Sequence, residues 1–340
     1  MPSSVFLIGP GFIGGEILRH LLEENYSVTV LVRRQSNVAE YERLGIRTII
    51  GTLDDPDVIS KQVAASDIVF HTATADHLPS VRAVIDGLRQ RERQGLLTLY
   101  IHTSGTSLLS DGAAGDWKSD TVFDDESPAQ IDALPDSAPH RQIDLAIVNA
   151  RKELANFTKM AIMIPPLIYG VSSANRTSIQ LPTITRYSLK HGYAGQVGKG
   201  LSVWSQVHVK DLARGYMTLL HWMENAPVVE LIENPYFFCE NGHELSWGEC
   251  SAEIGRILHK AGRINEAKPK AIPQENYGDI FGHYTATVVG SNSRSRAIRL
   301  RKLGWTPTEK QTLASLAEDE IGLIMQESGE FTGYSKAVAS

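Results

Sequence analysis

The hexapeptide Gly9-Pro10-Gly11-Phe12-Ile13-Gly14 constrains this chain more than any other feature. It follows the apolar run Val5-Phe6-Leu7-Ile8 and opens an amphipathic stretch, so it is a G-x-G-x-x-G placed between a strand and a helix. In that place each glycine has a physical task. Gly9 permits the tight turn, Gly11 lets the backbone come close to a pyrophosphate, and Gly14 lets helix and strand pack closely, with Phe12 and Ile13 supplying the first helical N–H groups to the anion. The turn predicts a doubly wound α/β sheet that binds a dinucleotide.

The rest of the first half agrees with that expectation. Short β-branched runs at Val5–Ile8, Ser27–Val32, Thr48–Ile50, Asp67–His71, Leu97–His102 and Lys159–Ile164 predict parallel strands, and Phe12–Glu24 and Ile143–Phe157 are the clearest helices between them. A Rossmann domain is expected over 1–170, with 205–225 returning to it, and a smaller substrate lobe over 171–204 and 226–340. Between Leu109 and Pro139 the chain is rich in Asp, Ser, Gly, Ala and Pro, which reads as a surface excursion or lid.

About twenty residues beyond the glycine turn, NAD binders carry an acid for the ribose 2′-hydroxyl and NADP binders a cation for the 2′-phosphate. Here strand two ends in Val32-Arg33-Arg34, with no carboxylate. Guanidinium forks grip phosphate in two places at once, so Arg33 and Arg34 predict NADP(H). The alternative is that they solvate a loop.

Other classes are disfavoured. Among 340 residues, 39 acidic side chains outnumber 33 basic ones for a net charge of -6, without a basic stripe, so a nucleic-acid partner is not expected. Cys239 and Cys250 are too few for a disulfide framework and fit a reducing compartment. The start lacks a basic n-region and no apolar run reaches spanning length, so a cytosolic chain off the membrane is expected. No His, Cys or carboxylate set has metal-ligand spacing, and no metal is expected. Nothing in the sequence sets an oligomeric state.

Several further segments carry a resemblance. Gly51-Thr52-Leu53-Asp54-Asp55, His71-Thr72-Ala73-Thr74, His102-Thr103-Ser104-Gly105-Thr106, Pro165-Pro166-Leu167-Ile168-Tyr169-Gly170, Val207-His208-Val209-Lys210-Asp211-Leu212-Ala213 and Leu303-Gly304-Trp305-Thr306-Pro307 follow the glycine turn in order. Over nearly its whole length the chain resembles the extended short-chain dehydrogenase/reductases, the epimerase/dehydratase-like branch of the NAD(P)-binding Rossmann proteins. The resemblance implies that Thr52 and Leu53 lie near the adenine, that Ala73 and Thr74 lie near the ribose and diphosphate, and that Pro166 touches the cofactor. Thr52 stands where many members have Asp.

That family pairs a Ser with a Tyr and a Lys four residues later. None of the 11 tyrosines here has lysine at that spacing. Aligned on the helix before strand six, His140 and Asp144 take the two slots. A four-residue spacing puts imidazole and carboxylate on one helix face, so Asp144 is expected to orient His140, which would act as the acid/base, while Ser104 holds a carbonyl at the carboxyl edge of the sheet. The plainer reading makes Asp144 a surface ion-pair partner of Arg141, His140 a helix start, and Ser104 a turn residue. His71, His102 and His208 read as hydrogen-bonded structural groups.

In the second lobe, Asn175-Arg176-Thr177, Trp204 and Ser293-Arg294 are expected to help build a cleft for a small, partly apolar molecule, with Arg176 also able to reach an acid or phosphate. The expected activity is NADP(H)-dependent oxidation or reduction of a carbonyl or alcohol. Loss of Tyr-x-x-x-Lys keeps two alternatives open: redox-neutral epimerase, dehydratase or cyclase chemistry on the same scaffold, and a non-catalytic NADP-binding sensor.

Overall fold

The computed structural model describes residues 3–334. In chain order the first eleven strands are β1 (Ser4–Ile8), β2 (Ser27–Val32), β3 (Arg47–Ile50), β4 (Ile68–His71), β5 (Thr98–Thr103), β6 (Phe123–Asp124), β7 (Thr158–Ile164), β8 (Leu167–Tyr169), β9 (Tyr193–Gln196), β10 (Val203–His208) and β11 (Tyr236–Phe238). Seven of them form one sheet in the order β11-β7-β5-β4-β1-β2-β3, with every neighbouring pair parallel. Strands β1, β4, β5 and β7 are buried along nearly their whole length because helices cover both faces of a parallel sheet. Phe12–Glu23 packs with Val209–Asn225, and Leu78–Arg93 packs with both Pro56–Ala64 and Arg141–Glu153. The order reverses between β1 and β4, which opens a crevice at their carboxyl ends.

The sheet has one strand more than the sequence pattern predicts. Tyr236–Phe238 adds to the edge beside β7, with Tyr236 opposite Ile162. Three residues are too few to show a period, and their aromatic content reads equally well as a lobe core.

Two apolar cores result. One surrounds the sheet and includes Tyr236–Cys239, Ala297, Leu300 and Trp305, so the chain returns to the Rossmann core beyond 205–225. The other gathers Leu167, Tyr169, Tyr187, Trp204, Trp247, Ile254 and Phe281. Nor is the 109–139 segment only a surface excursion. Asp125 within it is fully buried and accepts the backbone N–H groups of Phe238, Ile298 and Arg299, stapling the excursion to both later returns. A single buried carboxylate in a polar stretch leaves no periodic trace. Cys239 and Cys250 are free, buried thiols.

Candidate active site

The glycine turn has the close geometry its spacing requires. Gly9 has φ 95°, and a Cβ there would lie 2.4 Å from the Ala73 backbone. At Gly14 a Cβ would meet the Gly9 carbonyl at 2.1 Å and Thr72 Oγ1 at 2.5 Å. Thr72 in turn donates its hydroxyl to the Gly9 carbonyl at 2.7 Å, tying the end of β4 to the turn. A Cβ at Gly11 would meet nothing within 4 Å, so that side of the backbone is open. No side chain caps the helix Phe12–Glu23, and its first N–H groups stay available to an anion.

A groove of about 870 Å³ runs over this turn. Gly9, Gly11, Phe12, Ile13, Arg33, Arg34, Thr52, Leu53, Ala73 and Pro166 all line it. Two expected cofactor residues do not. Gly14 lies beneath the turn, where its missing side chain permits the packing just described. Thr74 accepts the backbone N–H of Asp76 at 3.1 Å and so shapes the loop after β4. Tyr41, Asp54, His77 and Arg176 also line the groove. The guanidinium groups of Arg33, Arg34 and Arg176 make no hydrogen bond or ion pair among the described residues. Asp55 sits just outside and accepts both the N–H and the hydroxyl of Thr52, at 2.6 and 2.9 Å, and these bonds hold its carboxyl below the usual range.

At the carboxyl end of β5 the structure brings Ser104, His140 and Asp144 together. Ser104 donates its hydroxyl to Asp144 Oδ2 at 2.9 Å. The His140 ring lies over Gly105, where a Cβ would stand 3.3 Å from Nε2. The orienting carboxylate differs from the expectation: His140 Nδ1 meets Asp76 Oδ1 at 2.6 Å, whereas Asp144 turns to Ser104. The reason is backbone geometry. His140 is the N-cap of Arg141–Glu153 with φ 65°, so its side chain leaves the helix in another direction from a residue one turn inside it. The bond to Asp76 fixes Nδ1 as the N–H side of the ring and leaves Nε2 toward Gly105.

The surface ion-pair reading of Asp144 fails as well. Arg141 is buried and donates to the Tyr236 hydroxyl and the Asp132 carbonyl, each at 3.2 Å. Asp144 is fully buried with Oδ1 unpartnered. Burial pushes its carboxyl up to about 7, against the opposing pull of the Ser104 bond and of the His140 and Arg141 charges. Behind it lies a polar layer within the sheet. Tyr100 OH meets His102 Nδ1 at 3.2 Å, the His102 and His71 rings stand 5.3 Å apart, and His71 Nε2 meets Ser80 Oγ at 2.9 Å. Burial drives both imidazoles toward the neutral form, His71 to about 4.

The second-lobe candidates separate. Thr177 and Arg176 line the groove, and Asn175 makes the left-handed turn before them. Trp204 is core, donating Nε1 to the Ser291 carbonyl at 2.7 Å. Arg294 is paired with Glu244, and Ser293 donates its hydroxyl to the Thr106 carbonyl. His208 caps the helix Val209–Asn225 through Nδ1. Among the described residues, no cluster of His, Cys, Asp and Glu could hold a metal ion, and no helix is long and apolar enough to cross a membrane.

Residues 9–129 match the family model described as NAD(P)H-binding. Across 95% of this chain and the whole of the other, the fold superposes on UDP-glucose 4-epimerase of Thermotoga maritima, with TM-score 0.66 and 16% identity. It superposes on dTDP-glucose 4,6-dehydratase of Bacillus anthracis with TM-score 0.64 and 14% identity, over 94% and 97% of the two chains. The chain has the Rossmann fold of these two proteins, and its residues 9–129 are similar to NAD(P)H-binding domains. Among sequence relatives, oxidase ucsJ of an Acremonium species is 29% identical over 98% of this chain and 100% of that one. Anthocyanidin reductase of Arabidopsis thaliana is 23% identical over 62% and 70% respectively.

What the sequence missed is the long-range partner Asp76, whereas Arg176, expected in the substrate cleft, lines the groove over the glycine turn. For Asp76 a signal existed: a carboxylate just past the end of a central strand, at the edge where ligands bind.

Proposed function

We propose that the chain is an enzyme, an NADP(H)-dependent oxidoreductase that interconverts a carbonyl and an alcohol on a small, partly apolar organic molecule. The observation that carries this reading is His140, oriented by Asp76 and seated beside Ser104 at the same sheet edge as the dinucleotide groove. Support also comes from the names of the sequence relatives, an oxidase and a reductase. The groove fits the cofactor on its own terms: the turn leaves no room for a Cβ at Gly9 or Gly14, Gly11 is open, and three unpaired guanidinium groups suit a nucleotide with an extra phosphate.

When bound, the nicotinamide supplies or accepts the hydride. The side chains manage the proton. In reduction, the imidazolium form of His140 delivers the Nε2 proton to the oxygen of the former carbonyl and is left neutral, with Nδ1–H held by Asp76 and the ring aligned. Ser104 cannot donate to a carbonyl while its hydroxyl is committed to an ionised Asp144. With Asp144 protonated, the carboxyl donates to Ser104 Oγ, and the serine hydroxyl is free to donate a hydrogen bond to the substrate oxygen. In oxidation the ionised Asp144 makes Ser104 an acceptor for the alcohol.

The test is NADPH consumption against a panel of ketones and flavonoid-type carbonyls, with one equivalent of alcohol per NADPH. Product formed with no net change at the nicotinamide band assigns redox-neutral chemistry. Nucleotide-dependent partner binding with no turnover assigns a sensor.

A further inference from the structure

The segment after β8 does more than begin the second lobe. Val171 and Thr177 form an antiparallel bridge, and between them the chain closes a tight strap. Ser172 N–H donates to the Arg176 carbonyl at 2.9 Å, Arg176 N–H donates to Ser172 Oγ at 3.1 Å, and Asn175 turns at φ 55°. The strap is then pinned to the nucleotide helix. Ser173 donates its N–H and its hydroxyl to the two oxygens of Glu16, at 2.5 and 3.1 Å, and Glu16 is only 2% exposed. An acid buried one turn into an anion-binding helix is costly unless it is hydrogen-bonded, and the strap is what bonds it.

This anchorage fixes where Arg176 goes. Its side chain lines the groove that holds Arg33, Arg34 and Tyr41, and its guanidinium makes no bond to the protein among the described residues. Burial pushes the Tyr41 hydroxyl up and the Arg176 charge pulls it back, which puts the guanidinium on the same side of the groove as the segment that follows β2. Two cations thus project from the Rossmann sheet and one from a strap beyond β8, toward one space. Exposed, unpaired guanidinium groups converging from separate segments make a receptor for a phosphate dianion, which accepts several forked donors at once.

We propose that Arg176 binds the 2′-phosphate of the nucleotide together with Arg33 and Arg34, so that a residue outside the β2 segment sets the preference for NADP(H) over NAD(H). The inference rests on the NADP(H) reading above. It gives the strap a purpose: Glu16 and Ser173 hold the third arm at a fixed height over the groove, and the cofactor closes the gap between strap and sheet.

The experiment measures dissociation constants of the full chain and of Arg176→Gln for NADPH, NADH, adenosine 2′,5′-bisphosphate and 5′-AMP. Arg176 is exposed and unbonded, and a thermal melt checks that the variant folds like the parent. The expected result is a loss of about tenfold or more for NADPH and for the bisphosphate, with NADH and 5′-AMP within twofold. Equal losses for NADPH and NADH place Arg176 on the diphosphate and overturn the inference, as does no loss at all. If the unaltered chain binds NADH as tightly as NADPH, the NADP(H) reading fails first. If it prefers NADPH and the variant keeps the same preference, only the role of Arg176 fails.

Discussion

The dinucleotide groove and the acid–base cluster share one edge of the sheet and are built by opposite means. The groove is made of backbone: a left-handed Gly9, a Gly14 with a carbonyl where its Cβ would be, an uncapped helix start, and cations left exposed to solvent. The cluster is made of side chains in low dielectric. Ser104 and Asp144 are buried and bonded to each other, and Asp76 and His140 close on them from a loop and a helix cap. Strict space and loose charge mark the first, strict charge pairing the second. A groove of this kind should fail when volume is added and respond gradually when one cation is lost. A cluster of this kind should keep its shape and lose its chemistry when a single proton site is removed.

Five substitutions put that contrast to the test. The largest effect is expected from His140→Ala, which should lower kcat for carbonyl reduction by about 10²–10⁴-fold and leave NADPH affinity within about threefold. A matching loss of nucleotide binding would erase the distinction between the two regions. Gly14→Ala follows: the Cβ overlaps the Gly9 carbonyl, and the expected cost is about 1–3 kcal/mol in unfolding free energy along with weaker NADPH binding, whereas Gly11→Ala should leave the melting temperature unchanged and impair binding alone. Equal melts for both variants would mean the turn has slack the structure does not show.

Asp144→Asn addresses pH. The folded chain keeps the Asp144 proton up to about 7, while an unfolded chain releases it near 3.8, so folding takes up a proton in that interval. Stability therefore falls as pH rises from about 4 to 7, by at most about 4 kcal/mol from this group, and Asp125, raised by burial to about 6, adds a slope of the same sign. Melts of the parent and Asp144→Asn from pH 4 to 8 should diverge upward through that range, the variant losing less. Parallel curves would show that Asp144 is ionised throughout. Reduction by the parent should also weaken as pH passes about 7. The smallest effect is reserved for Arg34→Gln, about tenfold in NADPH affinity with NADH unaffected.

Most of the groove was legible because its parts are contiguous. The glycine spacing, the strand before it and the arginines after β2 each lie within a short window, and local steric rules turn them directly into a turn, a helix start and a cation pair. The parallel sheet was legible for a related reason, since strands covered on both faces must be written as apolar runs. The cluster was legible only in membership. Ser104, His140 and Asp144 could be aligned, yet which carboxylate serves which partner depends on the left-handed cap at His140 and on a loop 64 positions earlier that supplies Asp76. Arg176 likewise reads as a substrate-cleft residue until Glu16 is seen to pin its strap over the nucleotide side. Backbone conformation follows from neighbours in sequence, so the sequence by itself determined the nucleotide turn and the sheet. Charge pairing in a buried site follows from neighbours in space, so only the tertiary structure decided that Asp76 holds His140, that Asp144 holds Ser104, and that a third guanidinium faces the groove.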